Sequence, residues 1–130
     1  MSEDEISELK SLELEIIIKV PPSKNHISII EHYQRCGVKY FHLFNSFPTK
    51  NGGASGEVIR EHYLRLVKRV NRVFGDSIQI IGGGGIQSVA DILAYSEAGA
   101  EFFSVSTLFF HPLKLIKFIK DYKNENIKLQ

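Results

Sequence analysis

The sequence predicts an α/β protein built on a parallel sheet, and three observations carry that expectation. Strand-like and helix-like segments alternate along all 130 residues, the pattern of parallel strands joined by crossover helices. One isoleucine-rich run, Ile78-Gln79-Ile80-Ile81, passes into four consecutive glycines, Gly82 to Gly85, and then straight into a helical pattern. The next strand-like run, Glu101 to Ser106, finishes on adjacent hydroxyls, Ser106-Thr107.

Each element has its own signal. Residues 2–12 carry Ser2 as a helix cap with Glu5 three places on, the capping-box spacing. Leu14 to Val20 reads as a buried strand stopped by Pro21-Pro22. Residues 25–36 repeat Ile27, Ile30 and Tyr33 at helical spacing, and Gly37 closes that helix. Lys39 to Asn45 is the second strand, followed by a long polar loop over 46–56. Residues 57–74 form the longest helix, with Ile59, Tyr63, Leu66, Val67 and Val70 on one face. Ser77 to Ile81 is the third strand. Ser88 then caps a helix running to Ala98, with Asp91 in its first turn and Gly99 as its C-cap. Glu101 to Ser106 is the fourth strand, Pro112 to Lys123 the final helix, and 124–130 a frayed tail. The expectation is one domain, residues 1–130: an N-terminal helix and four βα units, half of a (β/α)8 barrel. A half barrel exposes both sheet edges and an apolar interior face. A dimer, a partner chain or an open rearranged sheet would cover them.

Composition narrows the class. Hydrophobic residues at 43% and charged residues at 24% describe an ordinary globular domain. A net charge of +1 gives no electrostatic case for nucleic acid or an anionic membrane. The single cysteine, Cys36, excludes an internal disulfide and reads as an inert helical thiol. With no apolar run of membrane-spanning length and an acidic start unlike a signal peptide, the expected location is cytoplasmic.

The glycine run carries the chemistry. Four glycines in a row are costly to order. They suit a strand end where backbone N–H groups must approach an anion closely, so the run reads as a phosphate cradle at Gly84 and Gly85, helped by the helix starting at Ser88. In (β/α) barrels the last two strand ends commonly form such a site, and Ser106 with Thr107 would complete it. Lys19, near the end of an apolar strand, is expensive to bury unpaired. Asn45 offers a donor and an acceptor, and points inward if Phe41 and Leu43 line the barrel. By the same parity His42 faces the covering helices as a structural histidine. His26, His32 and His62 fall on helices, and His111 is at most a weak anion contact. No histidine pair has metal-ligand spacing with a third ligand.

These motifs, taken in order, resemble the C-terminal half of the dihydroorotate dehydrogenase family. Ile18-Lys19 resembles its Val-Lys strand, and Phe44-Asn45-Ser46 its Asn-Thr strand end with serine for threonine. Asn51-Gly52-Gly53-Ala54-Ser55-Gly56 is similar to its Gly-Gly-Leu-Ser-Gly loop with alanine for leucine. Gly82 to Ile86 matches its glycine-rich strand end, Ala98-Gly99-Ala100 the turn before the last strand, and Ser106-Thr107 the final hydroxyl pair. The resemblance implies FMN as cofactor, held by Lys19, Ser55, Gly56, Gly84, Gly85, Ser106 and Thr107. It implies Asn45 and Ser46 as contacts to dihydroorotate or orotate. The family's catalytic base lies in the first half of the barrel, so no catalytic residue is expected here. The implied function is the FMN-binding portion of an oxidoreductase of pyrimidine biosynthesis, completed by an N-terminal half in trans. The alternatives are a non-catalytic FMN- or phosphate-binding half barrel, perhaps homodimeric, and a different flavin or sugar-phosphate barrel enzyme.

Overall fold

The computed structural model describes residues 1–43, 47–49, 52–54, 57–105 and 107–129. The elements follow in the order α1 (Glu3–Ser11), β1 (Ile17–Val20), α2 (His26–Arg35), β2 (Tyr40–Leu43), β3 (Phe47–Thr49), β4 (Gly52–Ala54), α3 (Glu57–Phe74), β5 (Gln79–Gly83), α4 (Val89–Ala98), β6 (Phe102–Ser104) and α5 (Pro112–Leu129). Strands β1, β2, β5 and β6 form one parallel sheet in that spatial order. Strands β3 and β4 pair as a small antiparallel hairpin inside the stretch expected to be loop. The architecture is that of part of a (β/α)8 barrel: consecutive parallel strands, each followed by a helix.

The caps form where the sequence places them. Ser2 and Glu5 make a full capping box, as do Ser88 and Asp91, and Gly99 closes α4 in the left-handed conformation at φ 117°. The final helix runs on to Leu129, past the expected end near Lys123. The last strand is shorter than expected, because a 3₁₀ turn at Thr107–Phe110, anchored by buried Leu108, follows it closely.

The two sheet faces differ sharply. Val20, Phe41, Leu43 and Ile80 are at most 1% exposed and pack beneath the helices with Ile30, Tyr63, Val67, Val70 and Tyr95. The opposite face carries Ile17 and Lys19 of β1, Tyr40 and His42 of β2, Gln79 and Ile81 of β5, and Phe102 of β6. These residues are exposed or half-buried. Tyr40 and Phe102, on alternate strands, meet across that face with ring centroids 6.3 Å apart. Alternate strands supplying one layer is the packing of a barrel interior. This corrects the expected parity: Phe41 and Leu43 face the helices, and His42 looks into the open face. The inward direction inferred for Asn45 from Phe41 and Leu43 loses its basis, and Asn45 itself lies outside the described residues. The period of two had been read correctly, but two equally apolar phases left the sign of the face open.

Both edges of the sheet, β1 and β6, lack a neighbouring strand among the described residues. Each borders an apolar cleft. One, of about 450 Å³, is lined by Ile18, Pro21, Ile29 and Tyr33 beside β1. The other, of about 350 Å³, is lined by Phe102, Phe103, Val105, Phe118 and Tyr122 beside β6. Beyond it, Phe110, Leu113 and Ile116 stand 82%, 84% and 52% exposed, an apolar patch of the kind that marks an interface.

Candidate functional site

The turn after β5 is built from backbone geometry. Gly84 and Gly85 have φ of 104° and 71°, conformations a β-carbon strongly disfavours. What holds the turn is Tyr95, fully buried on α4. Its hydroxyl is shared between the carbonyl oxygens of Gly83 at 2.9 Å and Gly84 at 2.7 Å. The ring lies close enough to the strand that a β-carbon on Gly82 would sit 2.9 Å from its Cδ1. Burial pushes the phenol pKa well up, so Tyr95 stays a neutral donor at any working pH.

The consequence follows from peptide planarity. In a trans peptide the C=O of one residue and the N–H of the next point in opposite directions. Tyr95 draws the carbonyls of Gly83 and Gly84 towards the helix layer. The N–H groups of Gly84 and Gly85 are thereby turned the other way, out of the helix layer. No sequence motif named Tyr95; the available signal was an aromatic with a polar tip on the helix directly after the glycine run.

Just ahead of α4, the N–H groups of Gln87 and Ser88 both donate to Asp91 Oδ2, at 2.8 and 3.1 Å. Asp91 is 4% exposed, and its other oxygen accepts from Arg60 of α3. The Arg60–Asp91 pair ties α3 to the loop that follows the turn. Asp91→Ala removes the cap and leaves Arg60 half-buried without its partner, so unfolding stability should fall by about 2–4 kcal/mol. Urea denaturation checks this, and a loss below about 0.5 kcal/mol would show the pair to be incidental.

The other expected site residues distribute as follows. Lys19 lies exposed on the open face, next to His42 in the strand register. Thr107 begins the 3₁₀ turn after β6, at the strand end neighbouring that of β5. Asn45, Ser46, Ser55, Gly56 and Ser106 lie outside the described residues. The structure thus brings Lys19, Gly84, Gly85 and the backbone of Thr107 to the C-terminal ends of strands β1, β5 and β6 of one parallel sheet, the functional end of this fold. Elsewhere, His26 is buried with its Nδ1–H donating to the Ser23 carbonyl at 2.8 Å, a packing role. His32, His62 and His111 are exposed, and Cys36 is half-buried at the end of α2. Among the described residues no group of three His, Cys, Asp or Glu could hold a metal, and no helix is long and apolar enough to cross a membrane.

Comparison with known proteins decides the family. The dihydroorotate dehydrogenase family model matches residues 6–126. The chain belongs to the dihydroorotate dehydrogenase family. A putative dihydroorotate dehydrogenase A (fumarate) of Aquifex aeolicus is 41% identical over 85 residues, covering 62% of this chain and 28% of the relative. The catalytic subunit of a dihydroorotate dehydrogenase B (NAD(+)) of Thermodesulfovibrio yellowstonii is 31% identical over 133 residues, covering 87% of this chain and 43% of the relative. The ligand-free dihydroorotate dehydrogenase of Eimeria tenella superposes with a TM-score of 0.69 at 19% identity, covering 82% of this chain and 34% of that one. The chain therefore spans between about a quarter and two-fifths of the length of these relatives.

Proposed function

We propose that this chain is the FMN-binding portion of a dihydroorotate dehydrogenase, a single domain over residues 1–130 that corresponds to the C-terminal half of the barrel. The observation that carries the proposal is the Gly84–Gly85 turn, where Tyr95 draws the Gly83 and Gly84 carbonyls towards the helix layer and so turns the N–H groups of Gly84 and Gly85 away from it. The family is generally flavin-dependent, and the residues present suit a flavin mononucleotide. They offer a backbone cradle for its phosphate, a lysine on the open face for the ring, and beside that lysine an imidazole nitrogen with no partner among the described residues.

FMN supplies the hydride acceptor for oxidation of dihydroorotate to orotate in pyrimidine biosynthesis. This chain's residues then act as follows. Gly84, Gly85, Ser106 and Thr107 hold the phosphate with N–H and hydroxyl donors. Lys19 places a fixed cation on the open face, where it favours negative charge on the flavin ring. Ser55 and Gly56 lie against the flavin, and Asn45 with Ser46 binds the substrate's alternating donor–acceptor edge. The base that removes the substrate's C5 proton comes from the other half of the barrel. With Lys19→Ala the reduction potential of bound FMN should fall measurably; an unchanged potential and affinity would remove Lys19 from the site.

The open edges at β1 and β6, with their apolar clefts, favour a partner chain in trans. The helix count favours that partner over a second copy. Five helices accompany four strands of the main sheet among the described residues. In a closed barrel the grooves between strands hold one helix each, so a second copy would bring α1 and α5 to compete for the same groove. A segment with four strands and three helices closes the ring without that conflict. A non-catalytic homodimer remains the second reading, favoured only by the exposed apolar residues. Co-expression with the N-terminal half of the Aquifex relative tests the proposal. It should yield a flavin-loaded complex that reduces a dye with dihydroorotate. A flavin-loaded complex without turnover would favour the non-catalytic reading. The electron acceptor and the expected cytoplasmic location belong to the complete assembly.

A further inference from the structure

His42 is placed where family resemblance assigns no role. It is the register partner of Lys19 on one side and of Ile81 on the other, so its side chain projects from the open face. Its Nε2 is shielded from solvent and has no hydrogen-bond partner among the described residues. The same atom lies 3.6 Å from where a β-carbon of Gly83 would stand, which sets the imidazole across the sheet towards the end of β5. Gly83 immediately precedes the Gly84–Gly85 turn. The polar side chains sharing this face with His42 are Lys19 on β1, Tyr40 on β2, Gln79 on β5 and Ser104 on β6.

A buried nitrogen without a partner is unfavourable in the free protein. A ligand group arriving at the open face relieves that, and Lys19 decides which kind. A lysine cation collects acceptor atoms, so the ligand edge beside it is acceptor-rich. Burial, and then the charge of Lys19, lower the pKa of His42. The ring is thus neutral near pH 7 and carries one proton, which only the Nε2 tautomer can present to an acceptor. We propose that His42 is a further flavin-contacting residue, its Nε2–H donating to the acceptor-rich pyrimidine edge of the ring that Lys19 also faces. The proposal rests on the flavin reading above.

The test follows two resonances in the isotopically labelled wild-type chain, the Gly85 amide and the His42 imidazole Nε2. They are titrated in parallel with FMN and with inorganic phosphate. The expected result is that FMN moves both resonances with one saturation curve, whereas phosphate moves Gly85 alone. His42→Leu should then weaken FMN at least several-fold without changing phosphate affinity, and His42→Gln should recover part of the loss. If FMN moves Gly85 and leaves His42 still, His42 is not a contact, although the phosphate cradle stands. If FMN moves neither, the flavin reading and this proposal fall together.

Discussion

Gly85→Val should abolish FMN binding while the sheet and its covering helices stay folded. Gly85 sits at φ 71°, where a β-branched residue is a genuine outlier. Valine therefore forces the turn to rotate, and its branched side chain enters the space that the phosphate needs. A phosphate held by this turn loses two or three charge-assisted hydrogen bonds. At about 1.5–3 kcal/mol each, that amounts to at least a 100-fold loss of affinity. Stability should change far less, because the buried core lies on the opposite side of the sheet from this turn's N–H groups. Isothermal titration with FMN, paired with circular dichroism, separates the effects. A folded Gly85→Val chain that keeps its affinity would move the phosphate elsewhere.

Tyr95→Phe should have the second largest effect, through a residue that touches no ligand. The change removes one hydroxyl and leaves the ring in place against Gly82. The buried carbonyls of Gly83 and Gly84 lose their shared donor. That should lower unfolding stability by about 1–3 kcal/mol. It also frees the two peptide planes to rotate, so the glycine N–H groups are no longer pre-aimed. Lost preorganisation of this kind should weaken FMN by about tenfold. Unchanged affinity alongside reduced stability would make Tyr95 a core residue only.

Most of the architecture was legible in the sequence because its signals are local and redundant. Ser2 with Glu5, Ser88 with Asp91, and Gly99 each form the cap that their spacing announces. The hairpin at β3 and β4 was missed because its residues, Phe-Pro-Thr and Gly-Gly-Ala, carry turn formers rather than strand formers. The face of β2 was read in reverse for a different reason. In Tyr40-Phe41-His42-Leu43 either phase offers apolar residues, and only the packing partners on the helices choose between them. The reversed parity is what makes His42 read as a structural residue in the sequence. The tight turn after β5 was legible from its glycines, but the groups that govern it were not. Tyr95 reaches back 11 and 12 residues to the Gly84 and Gly83 carbonyls, and Asp91 takes the N–H groups of Gln87 and Ser88 just ahead of α4. Such competition for donors is set by tertiary geometry, which no spacing rule encodes.

The central claim is that the turn after β5 binds a flavin through its phosphate. An equilibrium titration of the chain with FMN and, separately, with riboflavin, which lacks the phosphate, tests it most directly. Saturable FMN binding with riboflavin at least tenfold weaker is the predicted result. Equal affinity for the two flavins, or no binding of FMN by a folded chain co-expressed with the N-terminal half of the Aquifex relative, would contradict it.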